Sequence, residues 1–135
     1  MKKFYFKKYK KKSGTIVPFS LVKNVPFKIK RIFIIYGNKN FTRGNHAHYK
    51  CSQFLIPIYG SMDIEYENLS IKKREKINYK KRRGFLLKPK TWCKIKFNSN
   101  NSILMVFCDR EYEFKDYIEK YRDFLKIIGK KKWIY

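Results

Sequence analysis

The first 62 residues contain no aspartate or glutamate, and all ten acidic residues lie between Asp63 and Asp123. That absence gives the N-terminal half a positive field, suited to drawing in an anionic small substrate such as a nucleotide diphosphate. A solvated lysine-rich surface is equally consistent with it. Arginine is scarce as well, 7 residues against 27 lysines. The net charge of +24 and pI near 10.1 would otherwise suggest nucleic acid or an anionic membrane. Phosphate and base recognition favours arginine, however. The lysine excess also travels with abundant Asn, Ile, Tyr and Phe, which share A/T-rich codons, so nucleic acid is not expected as the ligand. The three cysteines, Cys51, Cys93 and Cys108, form no CxxC pair and no even-numbered framework, which argues against a disulfide scaffold and for a reducing cytoplasm. No apolar run approaches the roughly 20 residues of a membrane span. The opening MKKFYFKKYKKK has no apolar core of the signal-peptide kind. Repeats and linkers are missing too, so residues 1–135 are expected to form one domain, with 1–12 as a basic arm or exchanged strand.

What is present is mostly strand. Apolar residues make up 44 % and aromatics 19 %, which excludes a disordered chain. Ile29 to Tyr36, Gln53 to Tyr59 and Ile103 to Cys108 read as buried strands, rich in β-branched and aromatic residues. Met62, Ile64 and Tyr66, and later Cys93, Ile95 and Phe97, alternate with polar partners as half-buried strands do. Thr15 to Val17 and Phe85 to Leu87 read as shorter ones, and Ile71 to Tyr79 as a lysine-guarded edge. Only after Asp109 does the period change. Tyr117, Tyr121, Phe124, Leu125 and Ile128 fall on one helical stripe, with Gly129 placed as its C-terminal stop. Many short strands and one C-terminal helix predict an all-β barrel or sandwich.

Chemistry concentrates in Arg43-Gly44-Asn45-His46-Ala47-His48, which holds the only two histidines of the chain. Residues i and i+2 of a strand share a face, so two imidazoles project side by side near a guanidinium. A lone histidine is most often structural; a pair beside an arginine points to an active site. The spacing His46-x-His48-x4-Gln53-x6-Gly60 matches the first cupin motif, with Gln53 where a glutamate usually stands. Gly84-x4-Pro89-x2-Trp92-Cys93-x4-Asn98 loosely matches the second, with Cys93 near the usual third histidine. The fold expected is therefore a small cupin, a double-stranded β-helix or jelly-roll barrel, with one C-terminal helix. A neutral amide and a thiol in place of a carboxylate and an imidazole argue against the metal of a metallocupin, although a His2Cys zinc site is chemically possible.

A longer set of motifs occurs in one order: Arg31-Ile-Phe-Ile-Ile-Tyr36-Gly37, Arg43-Gly-x-His-Ala-His48, Gln53, Gly60-Ser61, Pro89-x-x-Trp92, and Tyr117-Ile-x-x-Tyr121-x-x-Phe124, preceded by Asp116. Together they resemble the WxcM-like sugar nucleotide 3,4-ketoisomerases, over roughly residues 13–125. The resemblance implies a homodimer and a metal-free, cofactor-free tautomerisation of dTDP-4-keto-6-deoxyglucose to a 3-keto sugar. The product would serve an aminotransferase in surface glycan or lipopolysaccharide synthesis. Moving a carbonyl from C4 to C3 needs a group titrating near neutrality and donors for the developing enediolate charge. By similarity His48 is the base and His46 orients it or relays the proton. Arg43 holds the diphosphate or polarises the oxygen, and Tyr36 is a second polar contact. Two departures stand out. Lys11-Lys12-Ser13-Gly14 replaces the family's Asp-x-Arg-Gly, and Trp92-Cys93 replaces Trp-His. In the family both regions approach the sugar and help set the C4 configuration, so Cys93 belongs among the substrate-binding candidates. Two other readings remain at this point: a metal-dependent cupin, and a non-catalytic module binding nucleotide sugar or nucleic acid.

Overall fold

Alternating side chains sort the chain into two facing antiparallel sheets, seen in a computed structural model that describes residues 1–130. The first sheet has the order β1 (Lys2–Tyr5), β9 (Arg83–Leu87), β6 (Gln53–Tyr59), β11 (Ser102–Cys108) and β4 (Arg31–Gly37). The second runs β12 (Tyr117–Ile118), β5 (Thr42–His48), β10 (Trp92–Phe97), β7 (Ser61–Glu67) and β8 (Lys72–Asn78). Two further strands, β2 (Tyr9–Lys11) and β3 (Gly14–Ile16), form a separate hairpin whose residues are all exposed. This is the all-β cupin architecture expected from the motif spacing.

Between the sheets lies the main core, with Leu55, Ile64, Phe85, Phe97 and Leu104 almost wholly buried. The first sheet is covered on its outer face too. There Phe54, Ile56 and Phe107 pack beneath Phe4, Phe6 and Phe19 of the N-terminal segment. Burial on both faces explains why β6 and β11 read as continuous apolar runs rather than alternating ones. The N-terminal lead-in is thus part of a sheet: β1 pairs with the chain's own β9, Phe4 opposite Gly84. Gly84 is required at that place, because any Cβ there would run into the Phe54 ring. The lysine-guarded segment is an edge strand as expected, β8 carrying Lys72, Lys73, Arg74 and Lys76 at the end of its sheet.

The C-terminal helix is shorter than its stripe suggests. Helix α1 spans Tyr121–Ile127, while Tyr117 and Ile118 pair with His48 and Ala47 as β12. The free edge of β5 supplies backbone partners that a first helical turn would leave unused, and that gain outweighs the periodicity. Phe124, Leu125 and Ile118 then cover Ala47 on the outer face of the second sheet. Gly129 follows the helix with φ 78°, and its N–H reaches the Lys126 carbonyl at 3.1 Å. Among the described residues no helix is long and apolar enough to cross a membrane.

Phe54 has no exposed surface and meets the rings of Phe4 and Phe6 edge-on, with centroids at 5.2 and 6.2 Å. Phe54→Ala is expected to lower stability by about 3–5 kcal/mol, read as a shifted urea midpoint at unchanged slope.

Candidate active site

Strand β5 enters the barrel through a bulge. Gly44 (φ 91°) and Asn45 (φ 59°) both adopt left-handed backbone, and pairing with β10 slips between Cys93 and Lys94. A Cβ on Gly44 would stand 2.8 Å from the Cys93 carbonyl oxygen, so the bulge needs glycine. After it the strand is regular. His46 lies opposite Cys93, His48 opposite Tyr117, and the two imidazoles share the inner face with centroids 5.1 Å apart.

His48 is 5 % exposed, and its surroundings fix its tautomer. Its Nδ1 lies 3.2 Å from Oδ2 of Asp116, itself buried at the end of a 3-10 turn (Phe114–Asp116). The carboxylate also accepts the Lys50 N–H on Oδ1 at 2.8 Å and the Cys51 N–H on Oδ2 at 3.1 Å. Backbone bonds clamp both partners: Tyr49 N–H to the Asp116 carbonyl at 2.9 Å, and Lys90 N–H to the His48 carbonyl at 2.7 Å. An ionised carboxylate only accepts, so Nδ1 carries the proton and Nε2 presents a lone pair. Nε2 is buried and has no hydrogen-bond partner. Burial first, then the neighbouring His46, outweighs Asp116 and lowers the His48 pKa to about 4. Burial lowers that of His46 as well. Both rings are therefore neutral at pH 7, and the short His48–Asp116 contact is a hydrogen bond rather than an ion pair.

His46 and Tyr117 stand on the wall of a cavity of about 480 Å³, with Gln53 and Cys93 deeper and Arg43 and Tyr36 towards the opening. His48 is directly behind that wall, its ring centroid 4.4 Å from Tyr117. Tyr117 in turn neighbours Arg31 and helps to raise its pKa. Burial opposes the charge on Arg31, yet Tyr117 and Cys108 together raise the pKa, and Nη2 lies 3.5 Å from the Cys108 sulfur. Arg43 and Tyr36 are exposed, Tyr36 at 71 % on the outer side of β4, so both belong to the rim rather than the barrel floor. Cys93 is buried, and burial pushes its thiol up to about 12.

The barrel donors do not suit a cupin metal. Gln53 turns its amide nitrogen to the Cys108 sulfur at 3.8 Å, and burial holds Cys93 as a thiol. A borderline cation in the barrel would require thiolate or carboxylate where these groups are neutral.

The structure thus brings His46, His48 and Cys93 together, sets Arg43 and Tyr36 at the mouth, and adds Asp116, Tyr117 and Arg31. These last three lie in motifs legible in the sequence, but nothing there gave them a role. Asp116 is 68 residues from His48, beyond any local spacing rule.

Two facing sheets with a histidine pair on an inner strand define a small cupin. Within that class, the family described as FdtA: WxcM-like, C-terminal, matches residues 1–129, and the chain belongs to it. A relative from Aneurinibacillus thermoaerophilus, TDP-4-oxo-6-deoxy-alpha-D-glucose-3,4-oxoisomerase, is 32 % identical over 93 % of this chain and 90 % of its own. The crystal structure of a 3,4-ketoisomerase from Helicobacter canadensis superposes with a TM-score of 0.88 at 29 % identity, covering 95 % of this chain and 96 % of that one. QdtA, a sugar 3,4-ketoisomerase from Thermoanaerobacterium thermosaccharolyticum solved with TDP, gives 0.87 at 28 % identity, covering 95 % and 93 %. A histidine-to-asparagine mutant of QdtA has been solved with TDP-4-keto-6-deoxyglucose.

The low pKa of His48 carries a sign for stability. An unfolded histidine titrates near 6.5 and the folded one near 4, so between these values the unfolded chain binds more protons. Acid therefore favours unfolding: the effect is absent above 6.5, grows as pH falls, and saturates below about 4 at roughly 3 kcal/mol. Urea melts from pH 7 to 4 should show this slope, and His48→Asn should flatten it.

Proposed function

We propose that the protein is a sugar nucleotide 3,4-ketoisomerase that converts dTDP-4-keto-6-deoxyglucose to a dTDP-3-keto-6-deoxyhexose. The observation that carries this reading is the buried, unpartnered Nε2 of His48, made a base by the Asp116 carboxylate on the opposite ring nitrogen. Family membership and the TDP-bound relatives support the substrate class.

In this reaction the sugar enters the cavity and displaces the Tyr117 ring enough for C3 to approach Nε2. His48 takes the C3 proton, and the C3–H electron pair becomes the C3–C4 double bond of an enediolate. The former C4 carbonyl oxygen carries the developing charge, and the Tyr117 hydroxyl, backed by the Arg31 guanidinium, is the donor aimed at it. Proton shift between the two oxygens and return of a proton to C4 complete the isomerisation. His46, 5.1 Å from both rings, relays or orients. Arg43 at the mouth meets the diphosphate, for which a guanidinium is suited, and Tyr36 adds a rim contact. Cys93, opposite His46, stands at the sugar face where it influences the configuration at C4.

The reading extends to a cytoplasmic homodimer whose product feeds an aminotransferase in deoxyamino sugar synthesis for lipopolysaccharide or another surface glycan. Support for the dimer comes from the exposed β2–β3 hairpin and from Ile32, Ile34 and Tyr36, which are 52, 43 and 71 % exposed on edge strand β4.

Incubation with dTDP-4-keto-6-deoxyglucose in heavy water, followed by NMR, tests the reaction. Deuterium should enter at C3 and C4 as a 3-keto sugar forms. His48→Asn should abolish both signals, whereas Asp116→Asn should retain exchange reduced by about 10²–10⁴ through loss of tautomer control. Wild-type protein that exchanges neither position sinks the proposal for this substrate. For the free enzyme, the acidic limb of the rate profile should lie near 4, well below an ordinary histidine.

A further inference from the structure

At the end of strands β4 and β11 one buried sulfur is met by N–H donors from two sides. Cys108 has no exposed surface and lies opposite Arg31 on β4 and opposite Gln53 on β6. Arg31 Nη2 reaches its Sγ at 3.5 Å, and Gln53 Nε2 at 3.8 Å. The proposed reaction uses Arg31 through Tyr117 and gives this sulfur no part. We propose that Cys108 is a thiolate counter-ion to Arg31, and so a positioning residue that holds the guanidinium beside Tyr117. The positioning role rests on the proposed reaction; the ion pair does not.

Charge balance supports this. A guanidinium keeps its proton at any pH the protein meets. Among the described residues every ion pair joins other groups, and none brings a carboxylate to Arg31. Its Nε is also buried without a partner. A half-buried cation without an anion is costly, and the rings of Phe33 and Tyr112 against it offset only part of that. At the sulfur, both contacts come through N–H, so neither offers an acceptor for a thiol proton. An anionic sulfur answers both needs, because a hydrogen bond to an ionised acceptor is roughly twice as strong as a neutral one.

Cys51, the neighbouring thiol, is set the other way. Its S–H has the Ser52 carbonyl at 3.4 Å, and its backbone N–H is bound to Asp116 Oδ2. Cys108 first, then burial and the carboxylates of Asp109 and Asp116, raise the Cys51 pKa. For Cys108 the Cys51 thiol first, then Arg31 and Gln53, lower it against burial. An arginine on one side and carboxylates on the other thus separate two thiols of one core. The pair also bears on the base. After burial and His46, the charge of Arg31 lowers the His48 pKa, and an adjacent anion limits that pull.

Ultraviolet thiolate absorbance, followed upward in pH in the full-length protein, tests the ion pair. One thiolate should form below about 8.5, where an ordinary cysteine titrates. Cys108→Ser should lose it, Cys51→Ser and Cys93→Ser should keep it, and Arg31→Gln should move its midpoint upward. The ¹³Cβ shift of Cys108 gives the same reading in unsubstituted protein, so the test survives a variant that fails to fold. A Cys108 that titrates at or above about 8.5 overturns the ion pair. For the positioning role, Cys108→Ser should slow deuterium exchange about tenfold, less than outright loss of an oxyanion donor, with KM little changed. Cys108→Asp, which restores an anion, should recover part of the rate. In a Tyr117→Phe background Cys108→Ser should cost nothing further, whereas a role in packing alone would add its full effect. Full additivity, or an unchanged rate in Cys108→Ser, overturns the role. A thiolate established in a protein that never exchanges deuterium would refute the reaction and the role with it, and leave the ion pair standing.

Discussion

The hydrogen bond from His48 to Asp116 is the contact on which the rest of the site depends. It joins the inner strand that carries both histidines to the segment that crosses behind it, and it decides which ring nitrogen is free. Its carboxylate is held by two backbone N–H groups, so the acceptor stays in place without a counter-charge. A buried polar group is costly unless satisfied, and here satisfaction of the carboxylate leaves one atom, Nε2, deliberately unpaired. In the proposed reaction that unpaired atom is where binding energy becomes chemistry.

Electrostatics in the site divide by depth. Neutral imidazoles and a neutral thiol occupy the interior, where an isolated charge would be expensive. The guanidinium of Arg31 is tolerated there because Tyr117, Cys108 and the rings of Phe33 and Tyr112 surround it. Free cations such as Arg43 remain at the mouth. An anionic ligand thus meets free charge where water still screens it, and the proton-transfer groups work in a drier space where each charge is held by partners.

Much of this was legible in the sequence wherever one side of a strand is buried. Met62, Ile64 and Tyr66 alternate because β7 has one covered face, and β6 reads as an unbroken apolar run because both of its faces are covered. His46 and His48 were placed on one face by period alone, and the spacing to Gln53 identified the barrel. The rest depended on contacts that no local rule contains. Tyr117 fits a helical stripe, yet an available strand edge claims it. The left-handed pair Gly44-Asn45, which aims the histidines, looks like an ordinary loop in the sequence. Arg31 and Tyr36 appear in the same motif, but alternation along β4 sends one inward and the other out to the rim.

The separation of His48 from Asp116 has a consequence for biogenesis. The barrel strands β1 to β11 end at Cys108, and the carboxylate is added only afterwards. A chain emerging from the ribosome can therefore close most of its sheets, with both histidines in place, before the proton-bearing nitrogen is fixed. The last contact made is among the longest in sequence, 68 residues, and such contacts are the slow ones to form. Competence for proton transfer is in this sense a late event, conferred by the 3-10 turn that follows the last barrel strand, and it reports that synthesis has passed the barrel.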